Sequence, residues 1–234
     1  MNRQEWKDGI RDGIPICLGY FSVSMAFGLS TVKLGLPIWG AVLISLTNLT
    51  SAGQFAGVTL LAAQAGYMEL IVSMLVINIR YFLMSISVSQ KVEKNYTLRQ
   101  RLCTSFGITD EVFAVSMQRN KELSFPYMMG LIATPVLGWT GGTLVGAAAT
   151  SLLPVSLSDA MGIALYGMFI AIIVPPAREQ KNVMFAVLLA IVTSYLFTYL
   201  PIFQWISGGW TVIIITVAVS ATAACLFPVE EKGE

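Results

Sequence analysis

Long apolar runs, broken by short polar interruptions, organise this chain. No charged residue falls in 34–68, in 123–158 or in 182–229. A membrane-crossing helix needs about 20 mostly apolar residues, so each run has room for one or two. The pattern predicts an all-α, polytopic transmembrane bundle with spans near 14–32, 38–62, 70–89, 125–148, 157–174, 183–200 and 210–227. That is about seven spans, in a range of roughly six to eight. Lys33, Gly35 and Pro37 close the first span. Pro175-Pro176 with 178–181 mark a turn, as do Pro201 and Gly208-Gly209.

Charge placement adds a topological constraint. Arg3, Lys7 and Arg11 precede the first span and favour a cytoplasmic N-terminus over residues 1–12. The polar stretch 90–122 holds Lys91, Lys94, Arg99, Arg101, Arg119 and Lys121, and reads as a connector partly in the cytoplasm. Residues 228–234 form a short charged tail. The first half then has three apolar segments between two cytoplasmic ends, an odd number where an even one is needed. Either one segment does not cross fully, or the less polar piece 102–117 crosses as well.

Composition narrows the function classes. Charged residues make up 12% of the chain, against about 25% in soluble domains. The formal net charge of +1 supplies no bulk field for nucleic acid. There is no histidine, which excludes a Ser-His-Asp triad, a histidine proton relay and the usual zinc ligand set. No Walker A loop or dinucleotide-binding glycine pattern occurs. Cys17, Cys103 and Cys225 are distant in sequence and sit among apolar residues, as packing residues do. No cofactor, metal site or catalytic residue is expected, and the chain does not read as an enzyme.

Four features could carry chemistry. Arg80 lies eleven positions from both Glu69 and Lys91. At 1.5 Å per residue it is about 16 Å from either end of its segment, near mid-bilayer if that segment crosses. A charge there costs at least ~2.5 kcal/mol and is normally kept for a partner or cargo. Arg80 is therefore expected to receive a substrate carboxylate or to pair with an acid. On a shorter or tilted helix it would snorkel to the interface instead.

The stretch Ser51-Ala52-Gly53-Gln54-Phe55-Ala56-Gly57 is too polar and too small for a lipid-facing segment. It reads as a broken helix, whose freed backbone groups bind small substrates in many transporters. Alternatively Gly53 and Gly57 form a packing notch, with Gln54 bonding across helices. Asn78, two residues before Arg80, either lines the same cavity or serves as polar glue. Asp110 and Glu111 stand in an apolar setting and are candidates for proton exchange. Adjacent acids do not share a helix face, so one is expected inward and the other toward water. Both would otherwise be an acidic helix start capped by Thr109.

Other residues read structurally. Gly138, Gly142 and Gly146 form a small-residue stripe for close helix packing. Glu69 and Asp159 are expected at the interface, as are the aromatic anchors Tyr67, Trp139, Trp205 and Trp210. Pro15 with Leu18-Gly19-Tyr20 and Leu36-Pro37 echoes Pro135 with Leu137-Gly138-Trp139 and Leu153-Pro154. The echo reads either as an internal repeat or as coincidence.

Taken in order, Gly13-Ile14-Pro15 with Gly19-Tyr20, Ser51-Ala52-Gly53-Gln54-Phe55, Asn78-Ile79-Arg80-Tyr81 and Thr109-Asp110-Glu111-Val112-Phe113-Ala114 resemble the AzlC family. These are the large subunits of azaleucine-resistance, branched-chain amino acid permeases. The resemblance covers residues 10 to about 120 in motif and the rest in hydropathy. Family members often carry Leu before the arginine and His after it, where this chain has Ile79 and Tyr81.

The resemblance implies a single integral membrane transporter domain over 1–234 in the bacterial cytoplasmic membrane. It implies export of valine, leucine and isoleucine, with methionine a further candidate, driven by an ion or proton gradient. It also implies a small AzlD-type membrane partner. Substrate is then expected at Arg80, Asn78, Gln54, Gly53 and Ser51, with proton coupling at Asp110 or Glu111. The alternative is the membrane subunit of an ATP-driven amino acid transporter, with a coupling helix in 90–122.

Overall fold

The computed structural model describes residues 3–150, 170 and 173–228. Nine helices are defined along them: α1 Arg3–Lys33, α2 Ile38–Thr47, α3 Ala52–Ala62, α4 Tyr67–Lys91, α5 Leu98–Phe106, α6 Asp110–Gln118, α7 Phe125–Ala149, α8 Lys181–Tyr199 and α9 Gly208–Leu226. Residues 173–179 are also helical. No β-strand occurs among the described residues, where one isolated bridge joins Val92 to Leu123.

Among the described residues, five helices are long and apolar enough to cross a bilayer: α1, α4, α7, α8 and α9. The expected span 157–174 lies outside the described residues except at 170, 173 and 174.

The bundle is built on α1 and α7, which run parallel and in close contact. Their touching residues advance together: Gly9 lies against Tyr127 and Leu131, Cys17 against Gly138, Phe21 against Gly142, and Met25 against Gly146. A Cβ on Gly142 or Gly146 would collide with the α1 backbone, so the small-residue stripe packs as expected. The echoed prolines Pro15 and Pro135 belong to these two side-by-side helices. Gly35, at φ +92°, turns the chain out of α1, a backbone conformation that glycine adopts freely.

Contacts fix which face each end occupies. At the N-terminal face Arg119 pairs with Glu5 at 2.7 Å, Ser124 donates to Glu5, and the Tyr127 hydroxyl donates to Asp12. Lys91 donates to the carbonyls of Ser116 and Met117, so α4 ends there too. The other end of α4 meets α9, where Glu69 accepts from Ser207 and the Gly209 amide. Phe185 packs on Phe227 at 5.5 Å, which brings the start of α8 beside the end of α9. Lys91, Arg119, Lys181 and the N-terminal cations thus share one face. Lys33 ends α1 at the opposite face.

This resolves the odd number of segments. The 38–62 segment does not cross. α2 enters from the face opposite the N-terminus and α3 returns to it. Gly53 lies against Asn78, Gly57 against Met74, and Leu60 and Glu69 both meet Gly209, so α3 runs antiparallel to α4 and ends beside its start. The 102–117 piece does not cross either. α5 and α6 form a second hairpin that leaves and rejoins the N-terminal face. Its tip bonds to Tyr20, halfway along α1. A helix of nine or ten residues rises about 14 Å, half of a ~30 Å core, so each hairpin reaches mid-depth and stops. The polar stretch 90–122 is therefore more than a surface connector: its ends lie at the N-terminal face and its middle goes inward.

One further expectation needs correction. Trp139 is 1% exposed in mid-bundle, edge to face with Tyr20 and stacked on Phe27, because it faces α1 instead of lipid. Glu69 lies in the first turn of α4, at a helix end as expected, and is 8% exposed because the start of α9 folds over it. Tyr67 and Trp205 do sit exposed at helix ends.

Candidate functional site

Both hairpin tips meet α4 and α1 at mid-depth, and the break in each has a local cause. Between α2 and α3 the run Asn48-Leu49-Thr50-Ser51 supplies polar side chains that compete for backbone bonds. Thr50 Oγ1 donates to Asn48 Oδ1 at 2.8 Å, and the Ser51 amide donates to Gln54 Oε1 at 3.3 Å. Ser51 and Gln54 close a capping box. Ser51 takes φ +44°, an uncommon and costly conformation for a residue with a side chain. Between α5 and α6, Gly107 ends one helix and Thr109 caps the next, its Oγ1 accepting from the Val112 amide. A Cβ on Gly107 would strike Ile132 of α7, so that bend holds only with glycine.

Between the tips lies a cavity of about 750 Å³. Arg80, Asp110, Glu111, Tyr20 and Tyr81 form its polar side. Ile16, Val23, Leu49, Ile77 and Trp139 are among its apolar lining. The Arg80 Nη1 to Asp110 Oδ2 distance is 2.8 Å. The Arg80 guanidinium also donates to the Tyr81 hydroxyl at 3.3 Å and lies 5.0 Å from that ring's centre. Tyr81 in turn donates to the Thr50 carbonyl at 3.4 Å, tying α4 to the broken tip of α2–α3. The Tyr20 hydroxyl donates to the Glu111 carboxylate and lies 2.8 Å from Thr109 Oγ1.

The expected residues divide. Arg80, Ser51, Asp110 and Glu111 line the cavity together. Both acids face it, contrary to the expectation that one meets bulk water. They occupy the first turn of α6, at a tip with Arg80 on one side and Tyr20 on the other. Gln54 is 2% exposed and spends its side chain on the Ser51 amide and Ser45 Oγ, behind the cavity wall. Gly53 and Asn78 face each other, and an added Cβ would sit 2.8 Å from Asn78 Oδ1. They hold α3 on α4 and do not line the cavity.

Tyr20, Tyr81, Trp139 and the Thr50 carbonyl complete the site and escaped the sequence reading. Tyr20 and Trp139 occupy matching positions of the Pro15 and Pro135 echo, and their rings meet edge to face at 5.3 Å. That shared position was the signal available for them. Among the described residues no cluster of His, Cys, Asp and Glu could hold a metal ion.

The electrostatics suit a zwitterion. Helix N-termini carry partial positive charge, and those of α3 and α6 both end at the cavity. On α6 two acids offset that charge; on α3 the first turn has none. Irregular backbone at membrane depth is tolerated where it lines such a cavity.

Comparison with known proteins gives a family and several relatives. The family model described as AzlC protein matches residues 15–153, which contain both hairpins, Arg80 and the acidic tip. The chain is 26% identical to the inner membrane protein YgaZ of Escherichia coli K12, over 75% of this chain and 74% of that one. It is 30% identical to an uncharacterized membrane protein of Archaeoglobus fulgidus, over 75% and 77% respectively. It is also 28% identical to an uncharacterized membrane protein of Helicobacter pylori, over 82% and 86%. No solved structure matches significantly.

Proposed function

The chain belongs to the AzlC family, and from that premise we propose that it is a secondary transporter exporting valine, leucine and isoleucine from the bacterial cytoplasm. The observation that carries the proposal is the ion pair of Arg80 and Asp110, held between two half-membrane hairpins beside an apolar cavity.

A zwitterionic amino acid exchanges one ion pair for two. Its carboxylate takes Arg80 and the first amides of α3. Its ammonium takes Asp110, with Glu111 nearby on Tyr20. Its aliphatic side chain lies on Ile16, Val23, Leu49 and Ile77. Without cargo Arg80 is paired with Asp110, and with cargo it takes the substrate carboxylate. A proton on Asp110 removes the ammonium's counter-charge and returns the cargo. The N-terminal face, where Lys and Arg gather, is the cytoplasmic one. A small AzlD-type subunit completes the transporter, against lipid-facing helices such as α8, which buries no residue of its own.

Efflux of preloaded radiolabelled leucine from cells tests this directly. Arg80→Ala is expected to lower the rate by at least about a hundredfold, of order 2.7 kcal/mol, with the protein still inserted. Wild-type efflux from that variant removes the assignment. The ATP-driven alternative predicts leucine movement only with ATP, so vesicles given a proton gradient and no ATP decide between the two.

A further inference from the structure

A second cavity, of about 400 Å³, lies between α3, α4 and the start of α9, toward the face opposite the N-terminus. Nothing in the central site uses it. Its walls are largely apolar, with Leu60, Ile77 and Val212 among them, and none of its lining residues is cationic. Two polar groups of α4 interrupt them. Glu69 is 8% exposed, and its Oε1 accepts from Ser207 Oγ at 2.5 Å and from the Gly209 amide at 3.0 Å. Ser73 is 1% exposed, and its hydroxyl has no hydrogen-bond partner among the described residues.

Glu69, Ser73, Ile77 and Tyr81 recur every four residues, so they form one stripe along α4. The stripe starts in the outer cavity and ends in the central one. Ile77 lines both cavities and stands between them.

We propose that the outer cavity is a second binding site, for the ammonium end of a small aliphatic amine or amino acid, with Glu69 and Ser73 holding the ammonium and Ile77 separating it from the central cavity. A carboxylate has about four acceptor positions, and both donors found on Glu69 fall on one oxygen. An ammonium brings three donors and can use the remaining capacity together with the idle Ser73 oxygen. The apolar walls suit an aliphatic body, and the volume lies in the range of small-molecule sites. An anion would meet Glu69 and find no cation. A bare divalent cation would find few of the six to eight oxygens it needs. As a station on an export path the site rests on the transport reading above; as a site for an amine it does not.

The test uses 3-methylbutylammonium, which is leucine without its carboxylate, titrated calorimetrically into the full-length protein in lipid nanodiscs. Wild type is expected to bind it saturably. Glu69→Gln is expected to bind at least about tenfold more weakly, with Glu69→Asp intermediate. Wild-type affinity in Glu69→Gln, or no binding by wild type, overturns the proposal. Glu69 also caps α9, so a second variant spares it: Val212→Phe fills the cavity and leaves the carboxylate in place. Binding by Val212→Phe equal to wild type overturns the proposal whatever Glu69→Gln does. If wild type binds the amine and exports no leucine, the transport reading fails and the amine site stands.

Discussion

At the scale of the residue, Arg80 separates stability from transport. Its pair with Asp110 is about half exposed to the cavity, with side-chain accessibilities of 45% and 49%. Pairs in such contact with water contribute little to stability. Asp110→Asn should therefore leave the melting temperature of the purified protein within about 2 °C of wild type while leucine efflux falls at least about tenfold. A large drop in melting temperature with efflux intact would mean that the pair is structural. Arg80→Lys keeps the charge but loses the planar fork that reaches both Asp110 and Tyr81. Efflux is expected to fall about tenfold or more in that variant, and full efflux would show that charge alone suffices. Arg80 and the acids were legible in the sequence because a charge in an apolar run stands out by itself. Tyr20, Tyr81 and Trp139 were not, because an aromatic residue in a membrane helix is ordinary until its neighbours are known.

At the scale of the element, the α1–α7 seam and the hairpin tips carry different risks. A Cβ on Gly142 meets the Phe21 carbonyl and Ser24 Oγ, whereas one on Gly141 finds only the edge of the Phe21 ring at 3.8 Å. Gly142→Ala should destabilise by about 1–3 kcal/mol or more, through overpacking against backbone that has nowhere to go. Gly141→Ala should be neutral or slightly stabilising, by up to about 1 kcal/mol of helix propensity. Thermal melts of the two variants in the same detergent decide; equal melting temperatures would contradict the seam. Gln54 ties the α2–α3 tip to itself and to Ser45, which in turn contacts Thr143 of α7 at 2.7 Å. Sequence pointed to a break near Ser51 through its run of small and polar residues. It assigned Gln54, Gly53 and Asn78 to cargo because it showed polarity without direction. Gln54 spends its side chain inside the protein, and Gly53 and Asn78 pack against each other, which only packing reveals.

At the scale of the whole molecule, the two hairpins enter from opposite faces and make the topology testable. In a background with Cys17, Cys103 and Cys225 replaced by serine, Lys121→Cys and Arg178→Cys should react with a membrane-impermeant thiol reagent from the cytoplasmic side. Tyr67→Cys and Trp205→Cys should react from outside. Labelling of 67 and 121 from the same side would overturn the arrangement of α4 and both hairpins. Hydropathy determined from sequence that this chain lives in a membrane, because the cost of burying charge depends on composition and run length alone. Counting residues along one helix likewise put Arg80 at mid-depth. Tertiary structure alone decided which apolar segments cross and which turn back, because a hairpin sheltered by neighbouring helices is as apolar as a span. It also decided that Asp110 reaches Arg80 and that Glu69 is roofed by α9, since those pairs are joined by chain reversals that no local pattern encodes.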